Sequence, residues 1–248
     1  MKKRNTKNKG ALVRLVNEST PFAIKEAFNQ LRTNIMYSAH DGENAPVYAV
    51  TSAEQGVGKS TISASIAVSF AQTDQKVLLV DADMRRPTQY KFFGYDKKQP
   101  GLSETLLGIV KGPSDAICVY SENLHVLTSG CTPPNPSALL MSNRLQLLIE
   151  QWKKEYDIIF IDLPPVGIVS DPSDIAGVVD GYVLIARANI SDSKHLNAAI
   201  SLLKSVGAKI TGIVVNGTSS KGSEDKKYAR GGYHYKYGYT YEYKNNED

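Results

Sequence analysis

Six short apolar runs along the chain are separated by stretches in which apolar residues recur at helical spacing. The runs cover residues 47–51, 76–81, 124–128, 158–161, 182–186 and 210–215. Runs that are apolar without alternation are typical of parallel strands buried on both faces. Helices are predicted at residues 60–72, 102–107, 143–156 and 194–205. This order predicts an α/β fold built on a doubly wound, mostly parallel sheet.

A further amphipathic stretch precedes the first strand. We predict a helix whose first turn starts at Pro21, with Ser19 or Thr20 as its N-cap. Its apolar residues form one stripe, made by Ile24, Ala27, Phe28, Leu31 and Ile35. The periodicity leaves two roles open for this helix, because the stripe could cover the sheet or dock on a neighbouring subunit.

The first apolar run ends in a short loop that contains glycine and leads into a helical pattern. In such loops the backbone N–H groups curl around a polyphosphate, and the following helix presents its positive end. Lys59 would reach the β- and γ-phosphates, and the Ser60 hydroxyl would bind Mg²⁺. Ala53 replaces the first glycine of the full Gly-x4-Gly-Lys-Ser/Thr pattern, so a glycine-rich turn beside a core helix is the alternative. The predicted nucleotide-binding residues here are Glu54, Gln55, Gly56, Val57, Gly58, Lys59, Ser60 and Thr61.

Polar residues end three other apolar runs, where the carboxyl ends of parallel strands meet and ligands gather. Asp162 follows four apolar residues and matches a Walker B aspartate, which holds Mg²⁺; an aspartate that caps a turn is the alternative. Asp81 and Asp83 follow another run, and one could hold the metal while the other accepts a proton from an incoming hydroxyl. Asn216 ends the last run. Their convergence with Ser60 predicts a nucleotide site.

The two ends of the chain differ in composition from its middle. Residues 1–16 contain six basic residues and no acid, which suits an anionic membrane, an acidic partner or simply a solvated arm. Residues 221–248 lack Leu, Ile, Val and Phe, so this segment cannot form a core and is predicted to be flexible, although its alternating tyrosines also fit an edge strand. We predict a flexible basic arm (1–18), one P-loop domain (19–217) and a disordered tail (218–248). The tail tyrosines are Tyr228, Tyr233, Tyr235, Tyr237, Tyr239, Tyr241 and Tyr243.

Composition excludes several classes of protein. Two cysteines in 248 residues are too few for a disulfide scaffold or a four-cysteine zinc site. No apolar run approaches the roughly 18 residues that span a bilayer, and no signal peptide is recognisable. The net charge of +4 is small, and no nucleic-acid recognition motif is present, so we expect no nucleic-acid partner.

The segment after the second apolar run gives the first family resemblance. Asp81, Asp83 and Arg85 form an Asp-x-Asp-x-Arg motif that resembles the Walker A′ motif of the bacterial protein-tyrosine kinases. The other motifs of that family follow in order: Thr51-Ser52, Gly101-Leu102-Ser103, Gly130 with Pro133-Pro134-Asn135-Pro136, and Asp162-Leu163-Pro164-Pro165. The resemblance covers roughly residues 20–248 and is strongest to the stand-alone cytoplasmic kinases of capsule and exopolysaccharide systems in Gram-positive bacteria.

The resemblance implies a P-loop fold and phosphorylation of tyrosine with ATP and Mg²⁺, chiefly on the tails of neighbouring copies. It implies a ring-forming homo-oligomer, a separate transmembrane activator of the polysaccharide co-polymerase type, a phosphotyrosine phosphatase, and a cytoplasmic location at the inner face of the membrane. The family's ring contact is a Glu-x-x-Arg-x-x-Arg helix. Glu26 and Arg32 match it, whereas Asn29 replaces the middle arginine.

The family also implies roles for individual residues. Asp81 would be the base that accepts the tyrosine proton, and Asp83 and Asp162 would join Ser60 around the metal. Arg85 would steady the phosphates or the A′ turn, with a structural ion pair as the alternative. Asn216 resembles the asparagine that reads adenine in related ATPases.

Two other functions are compatible with the same fold. Partition and division-site ATPases share it, but they carry a lysine where this chain has Glu54, and they give the tyrosine tail no role. A nucleotide-gated, non-catalytic adaptor of a polysaccharide export complex would use the tail as an adhesive arm.

Overall fold

The computed structural model describes residues 15–38 and 44–218. Within them a seven-stranded sheet has the order β3-β4-β2-β5-β1-β6-β7. The strands are β1 (Val47–Ser52), β2 (Val77–Asp81), β3 (Cys118–Val119), β4 (Leu124–Leu127), β5 (Ile158–Asp162), β6 (Gly181–Arg187) and β7 (Ile210–Asn216). The helices are α1 (Phe22–Met36), α2 (Lys59–Ala71), α3 (Gln89–Phe93), α4 (Leu102–Leu107), α5 (Pro136–Leu140), α6 (Asn143–Trp152), α7 (Asp171–Asp174) and α8 (Ser193–Ser205). All pairings are parallel except that of β3 with β4.

Helices cover both faces of the sheet because its central strands are apolar on both sides. In β1, Val47 and Ala49 join the core on one face, while Tyr48 and Val50 join the core on the other. The first core receives apolar residues from α4, α5, α6 and α8, and the second from α1, α2 and α3. The predicted doubly wound α/β fold is confirmed.

Several predicted boundaries need correction. α1 begins at Phe22, and neither predicted cap contacts its first turn, because Ser19 and Thr20 hydrogen-bond to Asn17 instead. α6 ends at Trp152 and is continued only by hydrogen-bonded turns. The short elements α3, α5, α7 and β3 were not predicted, because two to five residues are too few to carry a period.

The register of the central strands brings their carboxyl ends to one edge of the sheet. Asp162 of β5 pairs with Val50 of β1 on one side and with Asp81 of β2 on the other. Asn216 pairs with Arg187 at the ends of β7 and β6. The loops that follow these strands therefore share one edge, which is where an open α/β sheet binds its ligand.

Candidate active site

The loop between β1 and α2 has the backbone that a phosphate site requires. Gly56 and Gly58 have φ angles of +77° and +91°, in the left-handed region that glycine adopts without strain. α2 begins at Lys59, so its unpaired N–H groups and positive dipole end face the loop. A Cβ on Gly58 would lie 2.4 Å from Nδ2 of Asn216, and that amide donates to the carbonyl of Val57 over 2.9 Å. Asn216 is therefore packed against the loop backbone.

A cavity of about 610 Å³ opens beside this loop. Its size lies within the range of small-molecule sites. The lining comes from the loop and from the segments that follow β2 and β5. It consists of Ser52, Glu54, Gln55, Gly56, Gly58, Lys59, Ser60, Thr61, Asp83, Arg85, Arg86, Thr88, Phe92, Pro164, Pro165, Ile168 and Val169.

Lys59 lies among carboxylates at the floor of the site. Its Nζ is 2.7 Å from Oδ1 of Asp162 and 3.8 Å from Oδ2 of Asp83, and it donates to Oγ of Ser60 over 3.2 Å. Asp162 is fully buried, and Lys59 and Asp83 are nearly so. Burial raises the pKa of Asp83, although the Lys59 ammonium opposes the rise. The structure thus brings together four residues that were predicted from separate parts of the chain.

Asp81 occupies a different position from the one that its expected role requires. It is fully buried, and its carboxylate accepts hydrogen bonds from the backbone N–H groups of Asp83, Thr88 and Gln89 over 3.0 to 3.2 Å. Burial first, and then the nearby carboxylate of Asp162, raise the pKa of Asp81 to about 8. Asp81 therefore holds the turn after β2, and Asp83 is the carboxylate of this pair that lines the cavity. Asp83, and not Asp81, therefore lies where a bound molecule could reach it, and the choice of base between the two stays a prediction.

Arg85 forms the structural ion pair that was the alternative to a phosphate contact. Its Nε and Nη2 donate to the two carboxylate oxygens of Asp171 over 2.9 and 2.8 Å, and the Ser137 hydroxyl donates to Asp171 over 2.6 Å. Burial raises the pKa of Asp171, but the hydrogen bonds from Arg85 and Ser137 outweigh burial and hold it below its usual value. The guanidinium still lines the cavity, with 39% of the side chain exposed.

Three side chains near the loop were missed by the sequence analysis. His195 Nδ1 lies 2.7 Å from Oε1 of Glu54, a hydrogen bond that raises the pKa of the imidazole and lowers that of the carboxyl. Arg86 Nη1 donates to Oε1 of Gln55 over 2.8 Å, and Gln89 Nε2 donates to Asp162. No motif marks these three residues, since each owes its place to tertiary structure.

The oxygen-rich floor suits Mg²⁺ with a nucleotide better than a metal held by protein alone. In the described residues no three His, Cys, Asp or Glu side chains form a metal cluster. Mg²⁺ is commonly bound by one or two carboxylates together with substrate phosphates and water. Asp83, Asp162 and the Ser60 hydroxyl supply such hard oxygen donors, and Lys59 supplies the cation for a phosphate.

Comparison with known proteins identifies the family. A ParA family model, described as the NUBPL iron-transfer P-loop NTPase, matches residues 44–231. The putative tyrosine-protein kinase CapB of Staphylococcus aureus is 36% identical over 201 residues, which cover 81% of this chain and 87% of CapB. The chain belongs to the bacterial tyrosine-protein kinases. The predicted family and enzyme class, a protein-tyrosine kinase, are therefore confirmed.

Two solved structures are similar to this chain in fold. The kinase domain of Escherichia coli tyrosine kinase ETK superimposes with a TM-score of 0.75 at 31% identity, covering 90% of this chain and 89% of that domain. The crystal structure of the chimerical protein CapA2B2 gives a TM-score of 0.72 at 35% identity, covering 79% of this chain and 85% of the chimera.

Other residues that the tyrosine-kinase resemblance singled out lie away from the cavity. Glu26 accepts a hydrogen bond from Asn29 within α1, and Arg32 Nη1 donates to the carbonyl and hydroxyl oxygens of Ser69 over 3.1 Å each. The seven tail tyrosines and residues 1–14 of the basic arm lie outside the described residues. Among the helices of residues 15–38 and 44–218, none combines the length and apolar character needed to cross a bilayer.

Proposed function

We propose that this kinase uses ATP and Mg²⁺ to phosphorylate the C-terminal tyrosines of neighbouring copies of itself, and that this reaction regulates the synthesis and export of capsular or extracellular polysaccharide. The observation that carries the proposal is the convergence of Lys59, Asp83 and Asp162 at a glycine loop that opens on the cavity. Family membership supports the enzyme class. We further propose that residues 19–217 form the kinase domain and that residues 218–248 carry the substrate tyrosines.

The geometry supports a division of labour among these residues. Lys59 and the loop N–H groups would bind the β- and γ-phosphates, and Ser60 and Asp162 would hold Mg²⁺, whose charge would offset that of the phosphates. A bond forms from the tyrosine Oη to the γ-phosphorus as the bond from that phosphorus to the ADP oxygen breaks. The phenol has a pKa near 10 and needs a base; the Asp83 carboxylate faces the cavity and accepts its proton.

The assembly and its partners extend the same proposal. Self-association through α1, with Glu26 and Arg32 at the contact, would place one copy's tail at another copy's cavity. A separate transmembrane activator would hold the kinase at the inner face of the membrane, and a phosphotyrosine phosphatase would reverse the reaction. Each phosphate adds about −1.5 to −2 charges, so several phosphates on adjacent tails would repel one another and loosen the ring.

The test mixes two full-length chains. A kinase copy carries phenylalanine at all seven tail tyrosines, and an acceptor copy carries Lys59→Met. After incubation with Mg²⁺ and ATP, mass spectrometry should find phosphotyrosine in the tail of the acceptor copy, and adding the cytoplasmic segment of the membrane activator should raise its yield. Sedimentation before and after full phosphorylation reports whether the ring loosens.

Three outcomes contradict parts of this proposal. Release of free phosphate without labelled protein would indicate a partition-type ATPase. Nucleotide binding with neither hydrolysis nor labelling would indicate an adaptor. If the acceptor tail stays unlabelled under conditions in which the wild-type chain labels its own tail, transfer between neighbours is excluded. Asp83→Asn and Asp81→Asn, compared at equal nucleotide occupancy, then test which carboxylate serves as the base.

A further inference from the structure

Gln89 is a buried polar residue with an unusual set of contacts. It is the first residue of α3, and none of its surface is exposed. Its Nε2 donates to Oδ2 of Asp162 over 2.7 Å and to the main-chain carbonyl of Ser60 over 3.1 Å. Its main-chain N–H donates to Oδ2 of Asp81 over 3.0 Å. One residue therefore connects the turn after β2, the end of β5 and the first turn of α2.

These contacts fix which way the amide of Gln89 points. Both partners of Nε2, the Asp162 carboxylate and the Ser60 carbonyl, can only accept hydrogen bonds. Rotating the amide by 180° would replace the donor with an oxygen at 2.7 Å from a carboxylate oxygen, which is repulsive. The orientation is thus set by its surroundings, and so is the position of Oε1.

The amide oxygen of Gln89 is left without a donor. Oε1 is buried and makes no hydrogen bond within residues 15–38 and 44–218. It shares one carbon with Nε2, so it lies within about 5 Å of Oδ2 of Asp162. A buried acceptor with no donor costs free energy, and such atoms in native proteins call for an explanation.

We propose that Gln89 is a positioning residue for the metal shell of this kinase. Nε2 holds Oδ2 of Asp162, so that Oδ1 is turned towards Lys59, and Oε1 accepts a hydrogen bond from a water molecule bound to Mg²⁺. The proposed donor follows from the chemistry, because Mg²⁺ keeps several of its waters and these are strong donors. This inference rests on the proposed function, which places Mg²⁺ at Asp162.

The same contacts give Asp81 a second role besides holding the turn after β2. Its carboxylate anchors the main chain at Gln89, and the side chain of Gln89 in turn anchors Asp162. Asp81 then influences the metal through two hydrogen bonds, without contacting it. Groups that orient the ligands of a metal typically change its affinity by 10- to 100-fold when they are replaced.

The experiment measures Mg²⁺ binding to the full-length protein that is saturated with a non-hydrolysable ATP analogue, by calorimetry. Gln89→Leu and Gln89→Met remove the amide and keep most of its volume. Gln99→Leu is the control, since it removes a glutamine that bonds Cys118 and Thr128 away from the site. We expect Mg²⁺ affinity to fall at least about 10-fold in both Gln89 variants. Affinity for the analogue in EDTA should stay within about twofold of wild type in all three variants.

Gln89→Glu separates the two halves of the amide. It keeps an oxygen near the position of Oε1 but replaces Nε2 with an oxygen facing Asp162, so it should bind Mg²⁺ no better than Gln89→Leu. Wild-type Mg²⁺ affinity in Gln89→Glu would show that the N–H donor is unnecessary. The inference also fails if the Leu and Met variants bind Mg²⁺ within about threefold of wild type, or if they lose analogue binding in EDTA equally.

Asp162→Asn distinguishes this inference from the proposed function on which it rests. If Asp162→Asn weakens Mg²⁺ binding and the Gln89 variants do not, only the role of Gln89 is wrong. If Asp162→Asn also leaves Mg²⁺ affinity unchanged, the proposed metal site itself is wrong.

Discussion

Breaking the ion pair between Arg85 and Asp171 should destabilise the protein by an amount that can be estimated from the burial of the two side chains. Arg85→Leu would leave the Asp171 carboxylate, which is fully buried, with only the Ser137 hydroxyl from its present side-chain donors. Removing one partner of a buried pair typically costs about 3–5 kcal/mol, because a charge is left without compensation. Arg85 is 39% exposed, so water reaches the pair and the cost should be smaller. We expect the free energy of unfolding to fall by about 2–3 kcal/mol.

The double variant makes this reasoning falsifiable. Asp171→Asn alone should cost about 1.5–3 kcal/mol, because it weakens charge-assisted hydrogen bonds. In the double variant Arg85→Leu/Asp171→Asn no buried charge remains unpaired, so the loss should be at least about 1 kcal/mol smaller than the sum of the two single losses. Urea unfolding followed by circular dichroism measures all four proteins. Losses that add to within about 0.5 kcal/mol would refute a coupled pair.

The pH dependence provides an independent check on the same pair. The pKa of Asp171 is lowered in the folded state, so its contribution to stability is complete above the unfolded pKa of about 3.9. That contribution is lost as the pH falls through the lower, folded pKa. The stability difference between wild type and Asp171→Asn should therefore be constant between about pH 5 and about pH 7, and it should shrink in more acidic solution. A difference that grows on acidification would contradict the assignment.

Three further predictions test other parts of the molecule. Gly58→Ala should reduce ATP affinity strongly, because a Cβ at φ +91° would lie 2.4 Å from the side-chain amide of Asn216. The control Gly94→Ala, at φ +72° with no atom within 4 Å of its Cβ, should cost only about 1–2 kcal/mol of backbone strain. Equal losses of ATP affinity in nucleotide titrations, and of stability in urea unfolding, would contradict this prediction. The pKa of His195, followed by NMR, should lie above about 6.5 and should fall in Glu54→Gln, and an unchanged titration would exclude their hydrogen bond. Trp152→Ala should lower the free energy of unfolding by about 3–5 kcal/mol, since Trp152 is only 1% exposed and its removal leaves a cavity. A loss below about 1 kcal/mol would show that neighbouring side chains move in to fill that cavity.

The fold and the floor of the site could be predicted because their signals are local. A buried parallel strand followed by an aspartate is visible in sequence at both Asp81 and Asp162, and the strand rhythm places those ends together. The division of roles between Asp81 and Asp83 could not be predicted, since the two aspartates are two positions apart in one motif and the backbone at the end of β2 decides where each side chain points.

The partners of the predicted residues were harder to foresee. Arg85 and Asp171 are 86 positions apart, and Asp171 lies in a four-residue helix with no periodicity. Gln89 lies between the apolar run at residues 76–81 and the helix predicted at residues 102–107, in a stretch for which the sequence predicted no element. Such contacts depend on how loops meet in three dimensions, and a polar residue in a loop carries no sign of what it will touch.

The pairing of Asp81 with Asp162 across neighbouring strands makes the site depend on the register of β2 and β5. A slip of one residue between β2 and β5 would send every side chain of the slipped strand to the opposite face, and one of the two acids with it. Such a molecule could still bury Val, Leu and Ile on both faces, yet it would lack the carboxylates that a site for nucleotide and Mg²⁺ needs.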